Sequence, residues 1–364
     1  MLGPLVLSRA YYHCEDCGTG FCPRDKALGL EDSFLSPGVL RMVGFVGGSV
    51  SFEEGSALLR ELAGLGVSPK AVERAAESLG REIARDEREA CEADADEELP
   101  PVLYLGVDGT GIPMRAEALK GRKGKQTDGS AKTREVKLCT VWSAEGRDEK
   151  GVPVRDEGSI TYTAAIESAA ENTDGRPSEF AQRVQREAER RRFEQAPQRV
   201  ILGDGAVWIW NLADTHFPGA LQIVDRFHVK EHLSDVAKGV WGGSCDLARA
   251  WAEARHDELD NEAFKPLFQA LEIHAQAVPE ARACLDYIKR NRHRMRYKTF
   301  HEAGLCTSTG VVEAGCKHAI GTRLKRPGMH WTEPGANAII ALRCSRLSGR
   351  FESFWERRQL PKVA

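Results

Sequence analysis

Apolar residues recur at helical spacing from residue 36 to 95, and each run opens on its own cap. Ser36-Pro37 supplies an N-cap and a proline at the first helical position. Ser51 to Glu54 is a capping box that opens a helix with Phe52, Ala57, Leu58 and Leu62 on one face. That helix ends in the turn AGLGVS (63–68), and Ser68-Pro69 caps a second, longer one. From Pro100 the pattern changes to strand-sized runs at 102–107, 136–146 and 158–167. A polar amphipathic helix over 176–195 follows, then a strand at 199–203, a helix over 206–217 and a strand at 220–224. Beyond 224 the pattern is almost entirely helical (228–300), and after a Thr/Ser/Gly break another helix begins near Ser308. The order β-β-β-α-β-α-β predicts an α/β protein with a mixed sheet and helices on its faces. No GxGxxG sequence is present, which argues against a dinucleotide-binding fold.

Composition narrows the class. Apolar residues make up 41% of the 364 and charged residues 29%, as in soluble globular proteins, and the apolar runs are too short to span a membrane. The start, MLGPLVLSRA, lacks the basic region and cleavage site of a signal peptide. Ten cysteines with a single CxxC suit free thiols in a reducing cytoplasm. The net charge of −3 hides an uneven layout. One basic run holds Arg115, Lys120, Arg122, Lys123, Lys125, Lys132, Arg134 and Lys137; another holds Arg282, Lys289, Arg290, Arg292, Arg294, Arg296 and Lys298. Acid is concentrated in 86–98. Two such basic runs are compatible with solvated faces and with a polyanionic partner.

Two segments then stand out for their chemistry. The apolar runs in VLYLGVDGTGI (102–112) and RVILGDGAVWIW (199–210) each stop on an Asp followed by Gly, at Asp108 and Asp204. Carboxylates at the ends of neighbouring strands make a hard-oxygen metal site, whereas a lone strand-end Asp is a turn or a cap. Near the start, Cys14 and Cys17 have the spacing of one zinc-ribbon knuckle, with Cys22 and His13 close by, but no second CxxC accompanies them. The helix, Gly turn and capped helix of 51–90 fit a helix-turn-helix or a plain αα-hairpin. The mixed signs of Lys70, Glu73, Arg74, Glu77 and Arg81 suit a phosphate reader poorly.

Several segments together carry a resemblance: YYHCEDCGTGFCPRDKALGL, YLGVDGTGIPM, ILGDGAVWIWNLADTHFPGALQIVDRFHVKEHL, NRHRMRYKTF and TGVVEAGCKHAIGTRLKRPGMHWTEPGANAIIALR. From about residue 11 to 345 the chain resembles bacterial insertion-sequence DDE transposases of the ISKra group, within the Mutator-like assemblage. The resemblance implies a ribonuclease-H-like mixed sheet with an all-α insertion, preceded by a partial zinc ribbon and a helix-turn-helix-like helical region. The expected divisions are 1–32 for the ribbon-like segment, 33–98 for the helical DNA-binding region and 99–228 for the first part of the catalytic core. The insertion is expected at 229–304, and 305–364 is expected to complete the core with basic C-terminal helices.

The resemblance implies a metal triad of Asp108, Asp204 and Glu313, holding two Mg2+ (or Mn2+) ions, with Asp108 the expected bridge. Asp225 and His228 match a DxxH motif, and fit either a supporting role or a local helix cap. Lys317, Arg323, Lys325 and Arg326 are expected to face DNA phosphates. Trp331 fits either stacking on an unpaired base or core packing. Cys14, Cys17 and Cys22 are the zinc candidates; the family pattern has more sequence before the first Cys pair. The implied activity is cleavage and strand transfer of insertion-sequence DNA. The implied partners are terminal inverted repeats and target DNA, bound by a dimer or larger assembly in the cytoplasm, at the nucleoid. Two rivals remain: a non-catalytic transposase-derived DNA-binding protein, and a zinc peptidase built on His228, Glu231 and His232, which fit H-x-x-E-H.

Overall fold

A computed structural model describes residues 6–28, 30, 35–90, 98–124, 129–149, 151–170 and 176–359. Lys125 and the acidic residues 91–97 lie outside them. A two-stranded hairpin pairs Tyr12–His13 with Gly20–Phe21. After a short helical turn at Pro23–Leu28 come three longer helices: α1 (Pro37–Ser49), α2 (Phe52–Ala63) and α3 (Pro69–Glu89). The main sheet contains β1 (Val102–Pro113), β2 (Thr133–Ser143), β3 (Thr161–Ala165), β4 (Gln198–Gly203) and β5 (Leu221–Val224). Helices α4 (Glu179–Arg190) and α5 (Val207–His216) flank β4 in the chain. After β5 come α6 (Arg226–Trp241), α7 (Asp246–Asp260), α8 (Phe264–His274), α9 (Pro279–Asn291) and α10 (Tyr297–Glu302). The short α11 (Gly310–Gly315) continues as a π-helical segment, Cys316–Gly321, and α12 (Glu333–Leu347) and α13 (Phe351–Gln359) close the chain.

These elements form two compact units. The helical unit comprises 1–90, 111–134 and 319–364; the sheet unit comprises 91–110 and 135–318. The residues from 319 on thus group with the N-terminal helices, whereas the sequence reading placed all of 305–364 with the core.

In the helical unit, local signals act as read from the sequence. The Ser36, Ser51 and Ser68 hydroxyls accept from the N–H groups of Val39, Glu54 and Ala71. Glu54 closes the capping box on the Ser51 N–H at 2.9 Å. Helix α3 packs along α12, and the crossing is close: a Cβ on Gly80 would stand 2.0 Å from the Ala338 carbonyl oxygen. Its acidic side chains are engaged, Glu82 with Arg358 at 3.0 Å, Asp86 with Arg357 at 2.5 Å and Glu87 with Arg350 at 3.5 Å. The acids in the second half of α3 therefore belong to a packed bundle, while of the mixed charges nearer its start Lys70 pairs with Glu73 and Arg81 with Glu77 along the helix.

The sheet unit holds a five-stranded mixed sheet in the order β3-β2-β1-β4-β5. β1, β4 and β5 are parallel neighbours, while β2 and β3 pair antiparallel. Its core joins both sides of the strands, from Leu103, Leu105 and Val107 through Ile201 and Leu202 to Val229, Leu233 and Ile288. The near-continuous apolar runs reflect burial on both faces. One boundary differs from expectation: β1 does not stop at 107 but runs on through Asp108 to Pro113. Helices α6 to α9 pack on one another where the all-α insertion was expected. Among the described residues, no helix is long and apolar enough to cross a membrane.

Candidate carboxylate site

Strand register gathers the site. Gly106 faces Leu202 across β1 and β4, so Asp108 and Asp204 each lie two residues past a paired position. Gly203 faces Val224, so Asp204 and Asp225 each directly follow a paired residue, and the Asp225 N–H donates to Gly203 O at 2.8 Å. Three aspartates thus stand at matching heights on three adjacent parallel strands. Glu313 joins them from α11, which lies close to the sheet: a Cβ on Gly315 would approach Leu138, Tyr162 and Thr140 at 3.0–3.3 Å. Val107, Asp108, Asp204, His228, Glu231, Thr309 and Glu313 line one cavity of about 270 Å³.

The carboxylates have different surroundings. Asp108 accepts the Gly109 N–H at 2.6 Å, and Asp204 accepts the Ala206 N–H at 2.9 Å, each through a single oxygen. Burial pushes the Asp108 carboxyl above its ordinary range; the Gly109 N–H and the Cys316 thiol pull it back, and the charges of Asp204 and Glu313 add to the rise. Among the described residues, no ion pair joins Asp108, Asp204 or Glu313 to a cationic side chain. Asp225 is only 1% exposed, and its oxygens are fully engaged. One accepts the His228 N–H at 2.7 Å, capping α6; the other accepts the Thr309 N–H and, at 2.5 Å, the Thr309 hydroxyl. Thr309 Oγ1 also lies 3.0 Å from Glu313 Oε1. Asp225 therefore caps α6, as one of its two sequence readings has it, and also ties the start of α6 to the start of the Glu313 helix.

Sequence reasoning missed Thr309, Tyr287 and Cys316. The Tyr287 hydroxyl donates to the Asp204 carbonyl at 2.7 Å, and its ring packs beside Gly205. Gly205 has φ +96°, and a Cβ there would fall 2.2 Å from the Tyr287 oxygen, so both backbone and space demand glycine. On α6, the His228 and His232 Nε2 atoms are 3.2 Å apart, and burial, then the neighbouring His228, lowers the His232 pKa.

The expected DNA-facing residues divide. Lys317 and Lys325 are exposed, and Arg326 is half-buried, paired with Glu54. Arg323 is corrected: its side chain is 0% exposed, and its Nε donates to the Gly47 carbonyl at 2.9 Å, between the rings of Phe52 and Trp331. Trp331 is 6% exposed, with Nε1 donating to Leu324 O at 3.0 Å, so the core-packing alternative describes it. Arg343, not singled out from the sequence, donates to Ala319 O at 2.6 Å and to Gly48 O. Arg323 and Arg343 together satisfy carbonyls in the last turn of α1, where cations also suit the helix dipole.

At the N-terminal hairpin, Cys14 and Cys17 are exposed and flank the turn, while Cys22 is half-buried. Hydrogen bonds from Thr19 and the Cys14 thiol lower the Cys17 pKa to about 7. Among the described residues, no three His, Cys, Asp or Glu side chains already converge on one metal position. In the cavity the donor chemistry nonetheless suits hard cations. Mg2+ keeps several waters and needs only one or two carboxylates, and Asp108 with either Asp204 or Glu313 supplies such a pair.

The profile of the uncharacterised protein family UPF0236 matches residues 1–359. A relative from Streptococcus gallolyticus, the "UPF0236 protein in vanSb 3'region", is 25% identical over 366 residues, covering 92% of this chain and 69% of its own length.

Proposed function

The chain belongs to the UPF0236 family, and we propose that it is a DDE-type transposase with a ribonuclease-H-like core, cutting and joining DNA with divalent cations held by Asp108, Asp204 and Glu313. The observation that carries this reading is the alignment of Asp108 and Asp204 on adjacent parallel strands, with Glu313 brought to the same cavity and, among the described residues, no cationic side chain paired to any of them. The order β3-β2-β1-β4-β5 and the segments resembling insertion-sequence transposases support it. Bound Mg2+ would supply stabilisation of the attacking and leaving oxygens of a phosphodiester.

The protein's own groups hold that arrangement in place. The Gly109 and Ala206 N–H groups each fix one oxygen of Asp108 and Asp204, beside the cavity that both residues line. Asp225 and Thr309 orient Glu313. Exposed Arg282, Arg290, Arg292, Lys298 and Lys317 in the same unit are candidate phosphate contacts. The purified chain, given Mg2+ and DNA carrying the flanking sequences of its own gene, is expected to nick and join those ends. Asp204→Asn and Glu313→Gln are expected to lose at least about 10³-fold in rate, since the cations contribute several kcal/mol to such reactions. Unchanged strand transfer in both variants would refute the mechanism.

A further inference from the structure

Four residues apart on α6, His228 and His232 bring their Nε2 atoms to 3.2 Å, with the ring planes at 77°. Two imidazole nitrogens on a tetrahedral zinc ion, each about 2.0–2.1 Å from the metal, stand about 3.3–3.4 Å from one another. The pair therefore already has the bite of a chelate, at the i, i+4 spacing that places two histidines on one helical face. Glu231 Oε2 lies 3.8 Å from His228 Nδ1, one turn away on the same helix, from where a small rotamer change brings it into hydrogen-bond reach of the ring. The ring of Tyr287 packs on His232 at 5.1 Å between centroids and limits its rotation. His228 opens onto the cavity that Asp204 also lines, so an oxygen donor stands near the two nitrogens without yet converging on them.

We propose that His228 and His232 form a transition-metal site on the rim of the carboxylate cavity, taking Zn2+ or a similar imidazole-preferring ion. Glu231 is the outer partner of His228, and Asp204 is the available oxygen ligand. The site differs in kind from the all-carboxylate set, since imidazole selects borderline metals and carboxylate alone suits Mg2+. It stands whether or not the chain cuts DNA. It also gives the HVKEH motif a role that needs no peptidase.

Co2+ titration of the full-length chain, followed by visible absorption, tests this. The background carries Cys14→Ser and Cys17→Ser, both exposed positions, to remove the other metal candidate. In excess Mg2+, which competes for the carboxylate set, one Co2+ per chain is expected, with the bands of nitrogen and oxygen ligation, no thiolate charge transfer, and displacement by Zn2+. His232→Asn and, separately, the more exposed His228→Asn are each expected to weaken binding by more than about tenfold, and Glu231→Gln by about tenfold, the usual cost of losing an outer partner. Circular dichroism identifies a variant that fails to fold, in which case the other histidine decides. Absence of Co2+ binding, or binding unchanged in a folded histidine variant, would reduce the contact to an N–H···N hydrogen bond and overturn the site.

Discussion

Arg323 and Arg343 in the helical unit are buried about as deeply as Asp225 in the sheet unit, at 0%, 7% and 1% exposure, yet the two regions use charge differently. In the helical unit it is consumed inside the fold: the two guanidinium groups end on carbonyls of α1, and the acids of α3 meet the arginines of α13. In the sheet unit Asp225 is engaged by backbone and hydroxyl donors and Asp260 by Arg226 and Lys230, but among the described residues no ion pair joins Asp108, Asp204 or Glu313, which face one cavity, to a cationic side chain. A charge neutralised by its own fold is structural. Three neighbouring carboxylates with no cationic partner among the described residues are what the proposed divalent-cation site requires.

The sharpest way to break this comparison is to remove a charge from each side. Arg343→Ala is expected to destabilise the protein by about 2–4 kcal/mol in denaturant unfolding, because it orphans the buried carbonyls of Gly48 and Ala319. A loss below about 0.5 kcal/mol would mean the guanidinium is not structural. Next in size is Thr309→Val, which keeps the shape of the side chain and removes the hydroxyl between Asp225 and Glu313. Metal-dependent DNA cleavage is expected to fall about 10–100-fold, as for other groups that orient metal ligands. Full activity in a folded Thr309→Val protein would sever that link.

Smaller and opposite in sign is Asp108→Asn. Burial and repulsion raise the pKa of Asp108 in the folded chain, so between the unfolded and folded values the native state holds more protons, and stability falls as pH rises. At neutral pH the metal-free Asn variant is therefore expected to be more stable than the parent, by about 1 kcal/mol. That advantage should shrink toward low pH, where Asp108 is protonated in both states. A variant less stable than the parent at neutral pH would show that the carboxylate is not under strain.

The same contrast explains what could be read from the sequence. Ser36, Ser51 and Ser68 were legible as caps because their partners lie three residues away. Asp108 and Asp204 were legible because apolar runs buried on both faces lead up to them. Arg323 and Arg343 were not, because the carbonyls they satisfy lie 276 and 295 residues away in the chain, and nothing local distinguishes them from solvated cations. Thr309 was hidden for a similar reason, its partner Asp225 lying 84 residues upstream, though a Thr one helical turn before Glu313 was a visible hint. Glu313 itself came from the resemblance, since a helix that reaches the sheet after a long helical segment leaves no periodic trace.

Thermal unfolding with and without millimolar Mg2+ tests most directly whether the sheet-unit cavity is a divalent-cation site. A ligand that binds only the folded state raises its stability by mass action. Mg2+ is expected to raise the Tm of the parent chain and of Arg343→Ala, and to leave Asp108→Asn and Asp204→Asn unmoved. Equal shifts in all four proteins, or none in the parent, would contradict it.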